Sequence, residues 1–443
     1  MRHPITSYER FTEMKNLTES LLDFISCSPS CFHAVDNIIG KLDDEGYTRL
    51  YEGENWSISK GGRYYTVRNL SSVVAFAVPG EMTAVKFMIT ASHSDSPTFK
   101  IKDTPELADG VYTRINTERY GGMIFDSWLD RPLSVAGRVM VRTQNGVEAR
   151  LVNLDRDLLL IPHVAPHMEN PNDGKKYNPA SDLVPLYGDA ASKDSFMKLV
   201  SGAAGVSEDE VISHELFLYN RQPASVWGAE GQFISSPKLD DLECAFASLA
   251  AITETTPKGA IPVMFVADNE EVGSLTKQGA ASTFLRDVLS RICDSLGGDI
   301  RVAASQSMML SADNAHAVHP NNPGLADPVH RPVMNGGVVM KYNASQLYTT
   351  DAVSAAVFRE ICRKADVPVQ VFANRSDLRG GSTLGNISNG QVSMSSVDIG
   401  LAQLAMHSSY ETAGAKDIAH MVNAMKRFFE TELSVLDGEI TIK

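Results

Sequence analysis

The chain has 443 residues, 43% of them hydrophobic, with 40 Lys and Arg against 54 Asp and Glu for a formal charge of -14. That length carries a large core and more than one domain. The acidic balance argues against a phosphate backbone or an anionic membrane surface as partner and favours multivalent cations as counter-charge, beside ordinary solvation.

The N-terminus, "MRHPITSYERF", places no uninterrupted apolar stretch behind its basic residues, and no later apolar run reaches the roughly 18 residues of a membrane span. The expected location is the cytoplasm. Five scattered cysteines, Cys27, Cys31, Cys244, Cys293 and Cys362, fit reduced thiols better than a disulfide framework. Cys27 and Cys31 lack the second Cys or His pair of a zinc finger.

The spacing of Leu17, Leu21 and Phe24 predicts a first helix, and that of Val35, Ile38, Ile39 and Leu42 a second, after the break "SPS". The stretches "GGRYYTVRNLSSVVAFAV" and "AVKFMITAS" follow, with β-branched and aromatic runs separated by turn residues. From 98 to 230 the pattern changes to shorter strands in "GVYTRINTERYGGMIFDSWLDRPLSVAGRVMVR" and a polar loop, "PHMENPNDGKKYNPASD". The motifs with chemical content lie on either side of this region. It is expected to be an inserted domain over 98–230, interrupting a larger one over 1–97 and 231–443.

In that larger part "PKLDDLECAFASLAAI" begins a helix and "IPVMFVA" is a strand, with "IRVAAS" and "GGVVMKY" read as further strands between helical patterns. Such alternation predicts an α/β fold with a mixed, largely parallel central sheet flanked by helices. Ile418, Met421, Val422, Met425, Phe428 and Leu433 predict a final amphipathic helix packed on the core.

In open α/β sheets, ligands bind outside the carboxyl ends of the strands. Here "IPVMFVADNEEVGS" ends in Asp268, Glu270 and Glu271, "AVKFMITASHSDSP" in His93 and Asp95, and "SMMLSADNAH" in Asp313. Asp240 precedes an apolar helix and His407 follows another apolar run. The set His93, Asp240, Glu271, Asp313 and His407 is imidazole and carboxylate without thiolate, the mixture that hard-to-borderline divalent ions take. Five ligands exceed the need of one catalytic ion and suit two ions sharing a carboxylate. Neighbours in extended backbone point opposite ways, so one of Glu270 and Glu271 would ligate while the other serves as general base. Capping and solvated turn acids are the competing reading. Asp95 is placed to accept a hydrogen bond from the far nitrogen of His93, or else forms the turn before Ser96 and Pro97.

The motifs "SPSCFHAV", "GGRYYTVRN", "ASHSDSPTFKIK", "PKLDDLECAFASL", "DNEEVGSLTKQGA", "SADNAHAVHPN" and "GSTLGNI" occur in this order, in a pattern that resembles the M18 metalloaminopeptidases, the aspartyl aminopeptidase family. The resemblance runs from about residue 20 to residue 430. It implies a bimetallic exopeptidase fold in which His93 and Asp313 hold one ion, Glu271 and His407 the other, and Asp240 bridges. Glu270 would be the general base, Asp95 the partner of His93, and the Asp240–Asp241 peptide bond cis. The ions would be two zincs, with cobalt or manganese also admitted by the carboxylate-rich set.

The resemblance also places Lys341 in the pocket for an acidic substrate side chain, where a bare reading makes it a snorkelling strand end. Tyr348 would line the same region. His167, or His163 beside it, resembles a histidine that the inserted dimerisation domain contributes to a neighbour's active site. The implied assembly is a tetrahedral dodecamer built from dimers. The implied substrate is a peptide with N-terminal Asp or Glu, and neither nucleic acid nor membrane is an expected partner. Arg379 in "SDLRGGSTLGNI" departs from the family pattern, and either strengthens acid preference or faces solvent. The glycine-rich "GGSTLG" lacks the lysine of a phosphate loop and reads as a tight turn where backbone approaches substrate. Two rival functions remain: the same peptidase with a neutral or basic preference, and a catalytically silent assembly or cargo protein.

Overall fold

The computed structural model describes residues 7–169, 174–436 and 439–443, with side chains from residue 17. Residues 170–173 of the polar loop lie outside the described residues.

The apolar runs of the larger part build one nine-stranded sheet. Its order is Thr48–Arg49, Arg63–Arg68, Ser72–Ala77, Ile261–Ala267, Phe87–His93, Met308–Ala312, Ser395–Gly400, Val338–Tyr342, Val369–Ala373. Three central neighbours, Ile261–Ala267, Phe87–His93 and Met308–Ala312, run parallel and are buried along their whole length. Full burial on both faces explains their unbroken hydrophobic character. The sheet is mixed: Ser72–Ala77 is antiparallel to Ile261–Ala267, and Val338–Tyr342 is antiparallel to Ser395–Gly400 but parallel to Val369–Ala373.

Helices cover both faces. One side carries Cys31–Asp44, Leu239–Glu254, Ala352–Ala365 and Asp417–Phe429, whose Val35, Ile38, Leu249, Ile252, Phe358, Met425 and Phe428 join one core with the sheet. On the other side Phe284–Leu296 buries Phe284, Val288 and Ile292 against Phe87, Ile89 and Phe265. Each such side chain contributes about 1.5–3 kcal/mol on leaving water.

Two sequence expectations differ from the structure. Residues 300–305, "IRVAAS", are a helix, because the Asp299 carboxylate accepts from the Arg301 amide and caps it; the strand begins only at Met308. Leu433 lies beyond the last helix, which ends at Phe429, in a strand of its own hairpin, Leu433–Leu436 with Glu439–Ile442.

Residues 98–220 contribute a separate six-stranded antiparallel sheet in the order Gly146–Asn153, Leu133–Thr143, Val211–Asn220, Thr98–Ala108, Tyr112–Tyr120, Leu186–Asp189. The helix Phe196–Ala204 packs on it, and its core of Phe99, Ile115, Val135, Val139, Phe196 and Leu216 is its own. A third sheet joins Ser225–Trp227, Phe233–Ser236, Glu411–Gly414, Ala402–Leu404 and Ala315–His316. Among the described residues no helix is long and apolar enough to cross a membrane.

Candidate metal centre

Parallel register brings the expected residues together. Ala267 pairs with His93 across one strand boundary, and Ser311 with Ala91 across the other. The acids after Ala267, His93 itself and Asp313 therefore emerge level on one rim. Gly400 on the next strand lies so close that a Cβ there would meet the Asp313 carbonyl oxygen at 2.0 Å; only glycine permits that approach. Asp240 stands where Leu239–Glu254 is not yet regular helix, after Lys238 in left-handed backbone, and the Asp240–Asp241 bond is cis, as expected. His407, with φ of +66°, follows the strand Ala402–Leu404.

Asp240 sits at the middle. Its Oδ1 lies 3.5 Å from His93 Nε2 and its Oδ2 lies 3.5 Å from His407 Nε2, while Glu271 Oε2 is also 3.5 Å from His407 Nε2. Three sets offer ligand atoms within 4.8 Å of one another: His93, Asp240 and Asp313; Asp240, Glu271 and His407; and His93, Glu270 and Glu271. The first two share Asp240. Asp240 Oδ1 and Glu271 Oε1 are buried with no hydrogen-bond partner. Buried carboxylate oxygens are ordinarily satisfied, so this donor set fits divalent cations.

The electrostatics agree. Burial pushes Glu271 well above the usual carboxylate range, with repulsion from Asp240, Glu270 and Asp95 added and His93 opposing. Burial likewise pushes Glu270 up to about 8, against the pull of His93 and with the repulsion of Asp313, Asp95 and Asp240. For Asp240, burial is outweighed by His93, His407 and Lys341, and its carboxyl falls below the ordinary range. A cluster this acidic and this dry is unstable as bare carboxylates; cations relieve it.

The two glutamates do not lie in extended backbone. Asn269 is left-handed and Glu270–Val272 form a short 3-10 turn, so turn geometry, rather than strand alternation, separates their side chains. Asp95 also acts differently from expectation. His93 Nδ1 is 3.1 Å from the Asp95 carbonyl oxygen but 3.5 Å from its Oδ1. The Asp95 carboxylate instead accepts from the amides of Glu270 and Glu271 and from the Tyr120 hydroxyl. It fixes the glutamate turn. Asp268 is buried but belongs to none of the three sets.

Four supporting groups escape a reading of the sequence. The buried Glu411 accepts from the amides of Asp240 at 2.9 Å and of His407 at 2.7 Å, holding two candidate ligands from below. Asp241 accepts from the His93 amide at 3.1 Å. Tyr120 ties Asp95 to Asn269. Gly121, with φ of +76°, lies against Glu271, where a Cβ would come within 3.1 Å of the Glu271 Cβ. The only local signal for this last contact is the "YGG" of residues 120–122.

A cavity of about 170 Å³ is lined by His93, Asp240, Glu270, Glu271, Asp313 and His407 together with Lys341 and Tyr348. Lys341 is 2% exposed, donates to the carbonyls of Asp313 at 2.7 Å and Asn314 at 3.2 Å, and lies over the Tyr348 ring. Asp313 Oδ2 also lies 3.8 Å from its Nζ, so the ammonium is already beside a carboxylate. His167 is exposed and does not line this cavity. His163 is engaged elsewhere, with Nδ1 2.6 Å from Asp130 Oδ2 beside Tyr177.

An α/β sheet with a buried His93, a partly exposed His407 and buried carboxylates at its carboxyl rim has the donor set of a metal-dependent hydrolase. The family model described as "Aminopeptidase I zinc metalloprotease (M18)" matches residues 24–429. A protein of Clostridium novyi named "Probable M18 family aminopeptidase 2" is 45% identical over 431 residues, covering 94% of this chain and all of that one. Among solved structures, one titled "Cryo-EM structure of the Ape4 and Nbr1 complex" matches with a TM-score of 0.92 at 32% identity, over 96% of this chain and 87% of that one. The S. cerevisiae mApe1 dodecamer matches with a TM-score of 0.82 at 27% identity, over 94% and 97%. The chain belongs to the M18 family of zinc metalloaminopeptidases, and it is a peptidase.

Proposed function

We propose that this enzyme is a dinuclear aminopeptidase that removes N-terminal Asp or Glu from peptides. The observation that carries the dinuclear reading is Asp240, whose two oxygens each face a different imidazole at 3.5 Å. His93 and Asp313 would hold one ion and Glu271 and His407 the other, with Asp240 between them. When bound, the ions supply Lewis acidity to the scissile carbonyl and the attacking water. Zinc suits this donor set, and cobalt or manganese are compatible with it.

Glu270 faces the same cavity. With the cations relieving its burial, its carboxylate would take the proton of the attacking water and then deliver it to the leaving amine. Asp95 acts as a positioning residue by holding the Glu270 and Glu271 amides. Lys341, which lines this cavity, and Tyr348 beside it would receive the acidic side chain of the first residue.

Residues 98–230 would act as an inserted dimerisation unit of a homo-oligomer, and the family's tetrahedral dodecamer is the assembly we favour. Its separate core and exposed Val111, Tyr112, Val147 and Ile212 support this, as does the dodecamer of the S. cerevisiae relative. In such an assembly His167 would reach a neighbour's cavity. Five cysteines without a disulfide support a reducing, cytoplasmic location.

The test is hydrolysis of matched Asp-, Glu-, Leu- and Lys-peptides, with and without chelator and with zinc, cobalt or manganese restored, alongside light scattering for mass. Fast, chelator-sensitive release of Asp or Glu by an oligomer is expected. Preferred cleavage of Leu or Lys peptides would refute the acidic pocket, and no cleavage with any metal would refute the catalytic reading.

A further inference from the structure

Behind the residues 379–383 lies a second cavity of about 460 Å³, more than twice the volume of the metal cavity. His316 and Phe372 border both, so the two cavities adjoin. Arg379 and Gly380 line the larger, and Gly381, Ser382 and Thr383 the smaller. An aminopeptidase holds the first residue at its metals, so the rest of the peptide must occupy space continuous with that cavity.

The larger cavity is basic in a chain of charge -14. Its arginines and histidines differ in availability. Arg375 is closed by Asp377, with Nε 2.6 Å from Oδ1 and Nη2 2.8 Å from Oδ2, and donates further to the Gly324 carbonyl. His330 Nδ1 lies 3.1 Å from Asp327 Oδ1. His319 Nδ1 accepts from the amides of Asn321 and Asn322. The exposed Arg379 has no ion-pair or hydrogen-bond partner among the described residues. The one carboxylate in the lining, Asp327, already accepts from the Val329 and His330 amides.

A planar guanidinium with free donors, lining the larger cavity two residues before the segment that lines the metal cavity, matches a carboxylate. We propose that the larger cavity receives the residues downstream of the scissile bond and that Arg379 is a specificity-determining residue selecting a carboxylate there. That carboxylate is an acidic side chain at the second or third residue, or the C-terminus of a short peptide. The assignment rests on the aminopeptidase reading of the neighbouring metal cavity.

The test compares kcat/KM of wild type, Arg379→Ala and Arg379→Lys on peptides with one common N-terminal residue. The panel is a neutral amidated pentapeptide, its variants with Glu at position two or three, and a tripeptide as free acid and as amide. Wild type should favour the carboxylate-bearing members by about threefold to tenfold, between an exposed ion pair and a charge-assisted hydrogen bond. Arg379→Ala should abolish that ratio and Arg379→Lys retain part of it. A gain confined to the free acid identifies the C-terminus as the ligand, and one confined to the Glu peptides identifies the side chain. An unchanged ratio in Arg379→Ala, or an equal fall on every peptide, overturns the proposal.

Calorimetric binding of the product peptide Ala-Glu-Ala-Ala amide separates the two readings. Arg379-dependent binding by a protein that hydrolyses nothing would keep the cavity and sink the metal mechanism. Hydrolysis without any Arg379 dependence of ratio or binding would do the reverse.

Discussion

Replacing Glu411 by Gln changes no volume and touches no candidate ligand side chain. Its two oxygens accept from the Asp240 and His407 amides, at 2.9 and 2.7 Å. A Gln amide has one acceptor oxygen, so one of these buried N–H groups loses its partner and faces an NH₂ instead. His407 needs the support more, because its left-handed backbone, φ of +66°, costs a non-glycine residue about 1–2 kcal/mol. Burial and the nearby Asp240 hold the Glu411 carboxyl well above the usual carboxylate range, so each bond contributes about 0.5–1.5 kcal/mol as a neutral one, while leaving a buried donor unsatisfied costs about 1–3 kcal/mol. The support offsets the strain in the wild type and is lost in the variant. We expect the ion proposed for Glu271 and His407 to bind about tenfold to hundredfold more weakly, the range for loss of a group that orients a ligand. Chelator-competition titration of zinc would show one of two sites weakened, and excess zinc should restore much of kcat/KM. Two unchanged affinities in folded Glu411→Gln would refute the reasoning.

Glu270→Gln should lower kcat by about a hundredfold to ten-thousandfold, the contribution of a general base, while metal content measured by plasma emission stays near wild type; loss of the metal instead would make Glu270 a ligand. Lys341→Met should lower the ratio of Asp- to Leu-peptide kcat/KM by about tenfold or more. If Lys341 only braces the Asp313 and Asn314 carbonyls, zinc affinity will fall with that ratio unchanged. His33 is pushed down to about 4, chiefly by burial and also by Lys238. The unfolded chain thus binds the His33 proton from about pH 6.5 downward while the folded chain does not. Its contribution is full above pH 6.5 and is lost as pH falls through 4, at most about 3 kcal/mol at about 1.4 kcal/mol per unit. Urea midpoints of wild type and His33→Gln should converge across that window as acid is added; parallel profiles would contradict the burial argument.

The sequence by itself marked the central strands Phe87–His93, Ile261–Ala267 and Met308–Ala312 and the acids and imidazole at their ends, but not Val369–Ala373 or Ser395–Gly400. Continuous apolar runs such as "IPVMFVA" declare full burial, and charged residues directly after them fall on a rim. Short runs without flanking context were ambiguous: "IRVAAS" has neither a strand's alternation nor a helix's length, and the Asp299 cap decided it. Likewise the separation of Glu270 from Glu271 came from a turn set by Asn269, not from strand alternation. Tertiary structure alone decided which oxygens of Asp240 face which imidazole, and which groups hold them. Glu411 is 171 residues from Asp240, and Tyr120 is 25 from Asp95. Such contacts leave no periodicity in the chain, because a single buried carboxylate or hydroxyl is specified by its partners' positions in space and not by its neighbours in sequence. Arg379 could be noticed as a stray basic residue. Only the fold set it, unpaired among the described residues, in the lining of the larger cavity.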